Sequence, residues 1–162
     1  MRVGIGYDVH RFRTDGDAGT LRLGGVEVDG APRLEGHSDG DALIHALIDA
    51  ILGAAGEGDI GKHFPPGDPS TKDIDSRELL KRVQRLVASR GFTVGNVDAT
   101  VIAERPRLAP HIDRMRESIA AILGVSVGCV SVKATTNERL GEIGAGEAIA
   151  VTAVALLDQD VP

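Results

Sequence analysis

The chain has 162 residues, of which 42% are hydrophobic and 26% charged, and its formal net charge is −6. That length predicts a single catalytic domain over 1–162 with a real core, and the composition excludes a disordered chain. The acidic balance excludes a nucleic-acid binder, whose footprint would be basic, and an acidic protein handling phosphates needs local cations to offset repulsion.

In chain order, Val3–Tyr7 reads as a first strand, followed by a polar loop through Asp17-Ala18-Gly19. Leu21–Val28 alternates around Gly24-Gly25 and reads as a strand or bent hairpin. Ser38-Asp39-Gly40-Asp41 resembles a capping box, and Leu43, Ile44, Leu47, Ile48, Ile51 and Leu52 then repeat with helical period, punctuated by Gly53 and Gly56. Asp59–Ser70, rich in proline and glycine, is a loop by composition. A second helix starts near Asp75, with Glu78 three residues on, and stops at Gly91. Val97–Ala103 is a strand, and Arg105–Pro110 a turn-rich loop leading to a third helix that ends at Gly124. Val130–Thr135 and Ile149–Leu157 complete the strands, the latter apolar on both faces and hence central. Gly141–Gly146 matches no phosphate-binding fingerprint and reads as a tight turn between them. Strands and helices mix without strict alternation. The expected fold is therefore α+β: a mixed sheet with helices packed on one face, in a ferredoxin-like βαβ arrangement.

The lone Cys129 has no partner for an internal disulfide and reads as part of a buried strand, which suits a reducing compartment. The N-terminus has no signal-peptide pattern and no apolar run is long enough to span a bilayer, so the expected location is cytoplasmic, with no membrane partner. Aromatic residues are only Tyr7, Phe12, Phe64 and Phe92. A nucleobase would be read by backbone groups and aliphatic walls, not by stacking.

Asp8 and His10 are two apart at a strand end, so their side chains share a face. With His45, on the side of the first helix away from its leucines and isoleucines, they make a three-ligand set with an open fourth position. Chance spacing and a satisfied polar helix residue explain the same trio. Asp41, His45 and Asp49 form one polar line at i, i+4 and i+8: either a solvated face or carboxylates that orient His45. His37 and Ser38 precede a helix N-terminus, which attracts phosphate as well as needing a cap. Thr135, Thr136 and Glu138 put two hydroxyls and a carboxylate at a strand end, a pattern that suits phosphate oxygens and a Mg²⁺ shared with substrate, and also an ordinary turn.

Taken together, Gly6-Tyr7-Asp8-Val9-His10, His37-Ser38-Asp39-Gly40-Asp41, Gly58-Asp59-Ile60-Gly61, Asn96-Val97-Asp98 and Lys133-Ala134-Thr135-Thr136 appear in order. In this the chain resembles the 2-C-methyl-D-erythritol 2,4-cyclodiphosphate synthase family of the non-mevalonate isoprenoid pathway, over essentially its whole length. The resemblance implies a homotrimer with active sites between subunits, and Zn²⁺, or another divalent ion, on Asp8, His10 and His45. It implies a cytidine diphosphate substrate whose 2-phosphate attacks the β-phosphorus, closing a cyclic diphosphate and expelling CMP. Glu138 would hold a second ion, Mg²⁺ or Mn²⁺, while Thr135 and Thr136 position phosphates. Ala103, Arg105, Pro106, Arg107 and Leu108 would line the cytidine pocket. His37 and Ser38 would contact the methylerythritol phosphate, and Asp59 and Gly61 its hydroxyls. His37, Thr136 and Glu138 would be the catalytic residues. In this family an arginine that anchors a prenyl diphosphate in the trimer core often occupies the position of Ala145, and a phenylalanine that of Tyr7. Weak or absent binding of isoprenoid diphosphates there is the expectation.

Two other readings use the same residues. One is a zinc-dependent phosphohydrolase with water as nucleophile. The other is a non-catalytic trimeric nucleotide-binding module whose metal is structural, closed by a fourth ligand such as His63 or His111.

Overall fold

The structure, a computed structural model, describes residues 1–14 and 19–159. The loop expected through Asp17-Ala18-Gly19 falls largely outside the described residues. Strand β1 (Arg2–Arg11) is followed by the short strands β2 (Leu21–Leu23) and β3 (Val26–Val28), which pair antiparallel about Gly24-Gly25. Both glycines have positive φ, as a tight two-residue hairpin turn requires. Helix α1 (Ala42–Ala55) and the single turn α2 (Ile60–His63) come next, then α3 (Ser76–Ser89), β4 (Phe92–Ile102), α4 (Ile112–Leu123), β5 (Val130–Thr135), the short α5 (Gly141–Gly144) and β6 (Ala148–Gln159).

The main sheet has the order β1-β6-β4-β5, with β6 antiparallel to both β1 and β4, and β4 parallel to β5. The expected α+β class, mixed sheet and central last strand are all present. The ferredoxin-like detail is corrected. The helix α4 joins β4 to its parallel neighbour β5, and β5 runs on to β6, giving β-α-β-α-β-β in place of β-α-β-β-α-β. A parallel pair needs a crossover, and α4 is that crossover.

Strand β1 carries an inverted pattern. Val3, Ile5, Tyr7 and Val9 face away from the helices and are 67%, 70%, 57% and 47% exposed. Their neighbours Gly4, Gly6, Asp8 and His10 face α1. A Cβ on Gly4 or Gly6 would lie 2.0 Å from the carbonyl oxygens of Ala50 or Ala46, so the helix backbone rests directly on the strand. That contact brings α1 close enough for His45 to meet Asp8.

Helix α1 is enclosed almost all round by β1, β6, α3 and the β2–β3 hairpin. Leu43, Ile44, Leu47, Ile48, Ile51 and Leu52 are each fully buried, an environment worth ~1.5–3 kcal/mol per side chain. The helix is capped by Asp41, whose Oδ1 accepts from the Ile44 amide at 3.0 Å and the Gly24 amide at 2.9 Å, while Oδ2 accepts from Gly25 at 2.7 Å. Helix α3 begins after Asp75, as expected, with the Asp75 carboxylate accepting from the Arg77 amide.

Several local expectations change. Asp59–Ser70 contains the α2 turn and leads into a 3₁₀ turn over Pro69–Thr71, each capped by an aspartate at its start. Gly141–Gly146 holds α5 in place of a bare turn. Cys129 ends a 3₁₀ turn and is half-buried, because the chain straightens only at Val130. Among the described residues no helix is long and apolar enough to cross a membrane.

Candidate active site and metal centre

The described residues contain one cluster with the spacing of a metal site: Asp8, His10 and His45. Asp8 and His10 lie inside β1, which runs four residues beyond the expected end, and alternate residues of a strand share a face. His10 Nε2 lies 2.9 Å from Asp8 Oδ2 and 3.3 Å from His45 Nδ1, and His45 Nδ1 lies 3.2 Å from Asp8 Oδ2. Tetrahedral zinc, with ligands at about 2.0–2.2 Å, spaces its donors by roughly 3.3–3.6 Å. The three donors therefore fit one small divalent ion, and imidazole with carboxylate is a donor set that zinc accepts. His63 and His111 stand outside the cluster. His63 instead bonds the Glu57 carbonyl at 3.0 Å.

Electrostatics suits a cation. Burial works to raise the Asp8 pKa, but hydrogen bonds and charge from His10 and His45 outweigh it and hold the carboxyl well below its ordinary range. Burial works to lower that of His10, yet the Asp8 hydrogen bond and charge raise it, assisted by the Glu35 backbone carbonyl. The ring is thus held from two sides.

The polar line on α1 is not a solvated face. Asp41 is fully buried and His45 is 8% exposed, because α1 is packed almost all round. Neither neighbouring carboxylate orients His45. Asp41 is occupied with capping, and Asp49, its pKa raised chiefly by burial, accepts from the Ile60 amide at 2.7 Å. Instead His45 Nε2 meets Ser76 Oγ at 2.9 Å and Ser38 Oγ at 3.0 Å. Ser76 escaped the sequence reading because a serine after a capping aspartate looks like an ordinary helix start.

Around this centre, His37 is exposed, with Nε2 2.9 Å from the Asp68 carbonyl oxygen. Ser38 is buried against His45. Asp59 caps α2, which contains Gly61, and Asp49 fastens that turn to α1.

The remaining expected residues form a second group. Thr135 ends β5; Thr136 Oγ1 donates to Glu138 Oε1 at 2.9 Å, and Glu138 and Arg139 both have positive φ. The Ala103–Leu108 segment packs beside this turn: the Ala103 amide donates to the Thr135 carbonyl at 2.9 Å. Glu104, which no motif singles out, accepts from the Asn137 and Arg139 amides at 3.1 and 2.9 Å and ties the two segments together. Arg105, Pro106 and Arg107 follow it, with Arg105 reaching the Gly146 carbonyl at 3.4 Å. Ala145 and Tyr7 are both exposed, Tyr7 on the bare sheet face.

One chain does not unite the two groups. Across the sheet Val9 pairs with Ala150, Ala150 with Ile102, and Ile102 with Thr135. Three interstrand steps place Thr135 about 14 Å from the Asp8–His10 strand at the same level. The metal-type cluster sits at one edge of the sheet, the threonine and carboxylate group at the other.

The family model described as "YgbB family" matches residues 1–158. A protein of Pseudomonas aeruginosa named 2-C-methyl-D-erythritol 2,4-cyclodiphosphate synthase is 59% identical over 157 residues, 97% of this chain and 98% of that one. The bifunctional IspDF of Campylobacter jejuni superimposes with a TM-score of 0.92 at 42% identity, covering 98% of this chain and 42% of that chain. A Plasmodium falciparum IspF, solved as a CDP complex, has a TM-score of 0.84 at 35% identity, covering 99% of this chain and 97% of that chain. The chain belongs to the YgbB family.

Proposed function

We propose that this chain is a 2-C-methyl-D-erythritol 2,4-cyclodiphosphate synthase, a metal-dependent lyase of isoprenoid biosynthesis. The full-length match to proteins of that name carries the reading, and a centre of Asp8, His10 and His45 with the spacing of a divalent ion supports it. The substrate is 4-diphosphocytidyl-2-C-methyl-D-erythritol 2-phosphate. Its 2-phosphate oxygen forms a bond to the β-phosphorus, and the bond from that phosphorus to the bridging oxygen of the α-phosphate breaks. CMP departs with the electron pair and the cyclic diphosphate remains. The substrate supplies its own nucleophile, so the protein's task is to hold two anionic groups in line.

Asp8, His10 and His45 would hold zinc, and Glu138 would be the protein carboxylate for a Mg²⁺ or Mn²⁺ ion near the phosphates, a mode that needs only one such group. Bound there, the ions supply Lewis acidity and offset the repulsion between phosphates. His37 and Ser38 contact the 2-phosphate side, Asp59 and Gly61 the hydroxyls, and Thr135 and Thr136 the diphosphate. Ala103–Leu108 reads cytidine through its backbone, in keeping with the similar Plasmodium falciparum chain solved with CDP.

The assembly is a homotrimer with sites between subunits, in the cytoplasm. The two residue groups stand at opposite edges of one sheet, and an interface that joins one edge to the other, repeated head to tail, gives a ring when its rotation closes. The apolar outer face of β1, with Val154 of β6 beside it, is the surface that such a ring would cover.

Incubating the protein with the cytidylyl substrate, Zn²⁺ and Mg²⁺ and following phosphorus NMR tests the reading. CMP and a cyclic diphosphate are expected in equal amounts. Inorganic phosphate or a linear product would identify a phosphohydrolase and refute it.

A further inference from the structure

Behind the metal-type cluster lies a buried hydrogen-bond chain whose central residue, Ser76, no motif marks. Ser76 is fully buried at the first residue of α3. Its hydroxyl donates to Asp39 Oδ1 at 2.5 Å, and its amide donates to Asp39 Oδ2 at 3.1 Å. A serine hydroxyl has one proton and two lone pairs. With that proton committed to Asp39, the 2.9 Å contact between Ser76 Oγ and His45 Nε2 requires the ring nitrogen to donate. Nε2 then carries a proton, and Nδ1 is the ring nitrogen turned toward the ligand cluster. It faces Asp8 Oδ2 at 3.2 Å and His10 Nε2 at 3.3 Å, the position from which it would hold an ion.

We propose that Asp39 and Ser76 are positioning residues for the metal centre, an Asp39–Ser76–His45 chain that fixes the tautomer and ring plane of His45. The proposal rests on the reading of Asp8, His10 and His45 as ligands. A metal-binding histidine commonly gives its second N–H to a carboxylate or carbonyl, which orients the ring and makes the ligating nitrogen more basic. Here a hydroxyl stands between imidazole and carboxylate and passes the polarisation on. Ser38 Oγ, 3.0 Å from Nε2 and 3.3 Å from Ser76 Oγ, adds a second acceptor. Asp39 bonds Ser76 and makes no such bond to Ser38, so the two serines are not equivalent. The chain links three segments: the turn before α1, α1 itself and the start of α3.

Two measurements on the full-length protein test this. In competition with a chromophoric chelator, Ser76→Ala is expected to weaken Zn²⁺ binding about 10–100-fold, the range for an outer partner of a ligand. Ser38→Ala is expected to weaken it several-fold less. Alanine at 76 keeps the amide bond to Asp39, and a melting curve of the metal-free variant separates lost stability from lost affinity. On the metal-free wild type, long-range ¹H–¹⁵N correlation spectra are expected to show His45 protonated at Nε2, and Ser76→Ala to mix the tautomers. A merely structural serine would leave that signature unchanged. Wild-type zinc affinity in Ser76→Ala, an equal loss in Ser38→Ala, or an Nε2 that carries no proton would each overturn the proposal. A wild type that binds no zinc would instead overturn the ligand assignment, and the tautomer would still decide the hydrogen-bond chain.

Discussion

The substitution Gly6→Ala puts the link between packing and metal centre to the test. A Cβ at Gly6 would stand 2.0 Å from the Ala46 carbonyl oxygen and 2.8 Å from the Ala50 amide nitrogen, both helix backbone that no side-chain rotation can move away. Ordinary contact begins at 3.4 Å, so α1 must retreat from β1 by about 1.4 Å. The donor triangle has edges of 2.9, 3.2 and 3.3 Å, and two of them join β1 to α1 through His45. Taken along those two edges, the same retreat lengthens them to about 4.6–4.7 Å, more than the ~4.4 Å that an ion bonded at about 2.0–2.2 Å can span. Overpacking of this kind costs about 1–3 kcal/mol, and melting temperature falls about 2–4 °C per kcal/mol in a chain of this size. Zinc affinity should fall at least 100-fold, read by chelator competition beside a melting curve. Wild-type zinc affinity in a folded Gly6→Ala protein would refute the argument that strand–helix contact sets the site.

Three further outcomes follow from neighbouring features. Gly53, inside α1, has only the Ile5 carbonyl oxygen near its missing Cβ, at 3.9 Å, so Gly53→Ala should stabilise the protein by about 0.5–1 kcal/mol and leave zinc affinity unchanged. Denaturant unfolding that showed a loss would contradict it. Asp75 has its pKa lowered, first by the Arg77 side-chain hydrogen bond, so its stabilising effect is complete above the ordinary carboxylate pKa and lost as pH falls through the lowered folded value. Asp75→Asn should therefore matter at neutral pH and vanish in acid, and a stability difference that grew on acidification would reverse the sign. On the bare face, Ile5→Lys should break the proposed trimer into monomers in sedimentation and abolish CMP release; an active monomer would sink the proposed intersubunit site.

The sequence carried the class of fold because its helices and strands have plain periodicity, caps and stops. Asp41, His45 and Asp49 were visible as one line, but a line of polar residues looks the same whether it meets solvent or a second layer of structure. Only the packing of α3 and the β2–β3 hairpin over α1 distinguishes them. The ligand trio was visible as residue types at plausible spacing. Its convergence depended on Gly4 and Gly6 letting two backbones touch, a property of absent side chains. Ser76 and Glu104 left no trace, because each works through partners more than thirty residues away. The separation of Glu138 from the trio was equally hidden, since it follows from the insertion of β6 and β4 between β1 and β5.

Glu104 has a consequence for how a ligand enters. Its carboxylate grips two amides of the turn after β5 while its own backbone belongs to the loop after β4, and the Ala103 amide adds a second rivet. These loops behave as one jaw rather than two fingers. On the proposed assignment, a nucleotide held by one loop and a diphosphate held by the other would keep a constant separation, like marks on a single ruler. On that assignment, adjustment to substrates of different reach would fall to the side that carries Asp8, His10 and His45, and selectivity for the length of the ligand would be built into the backbone itself.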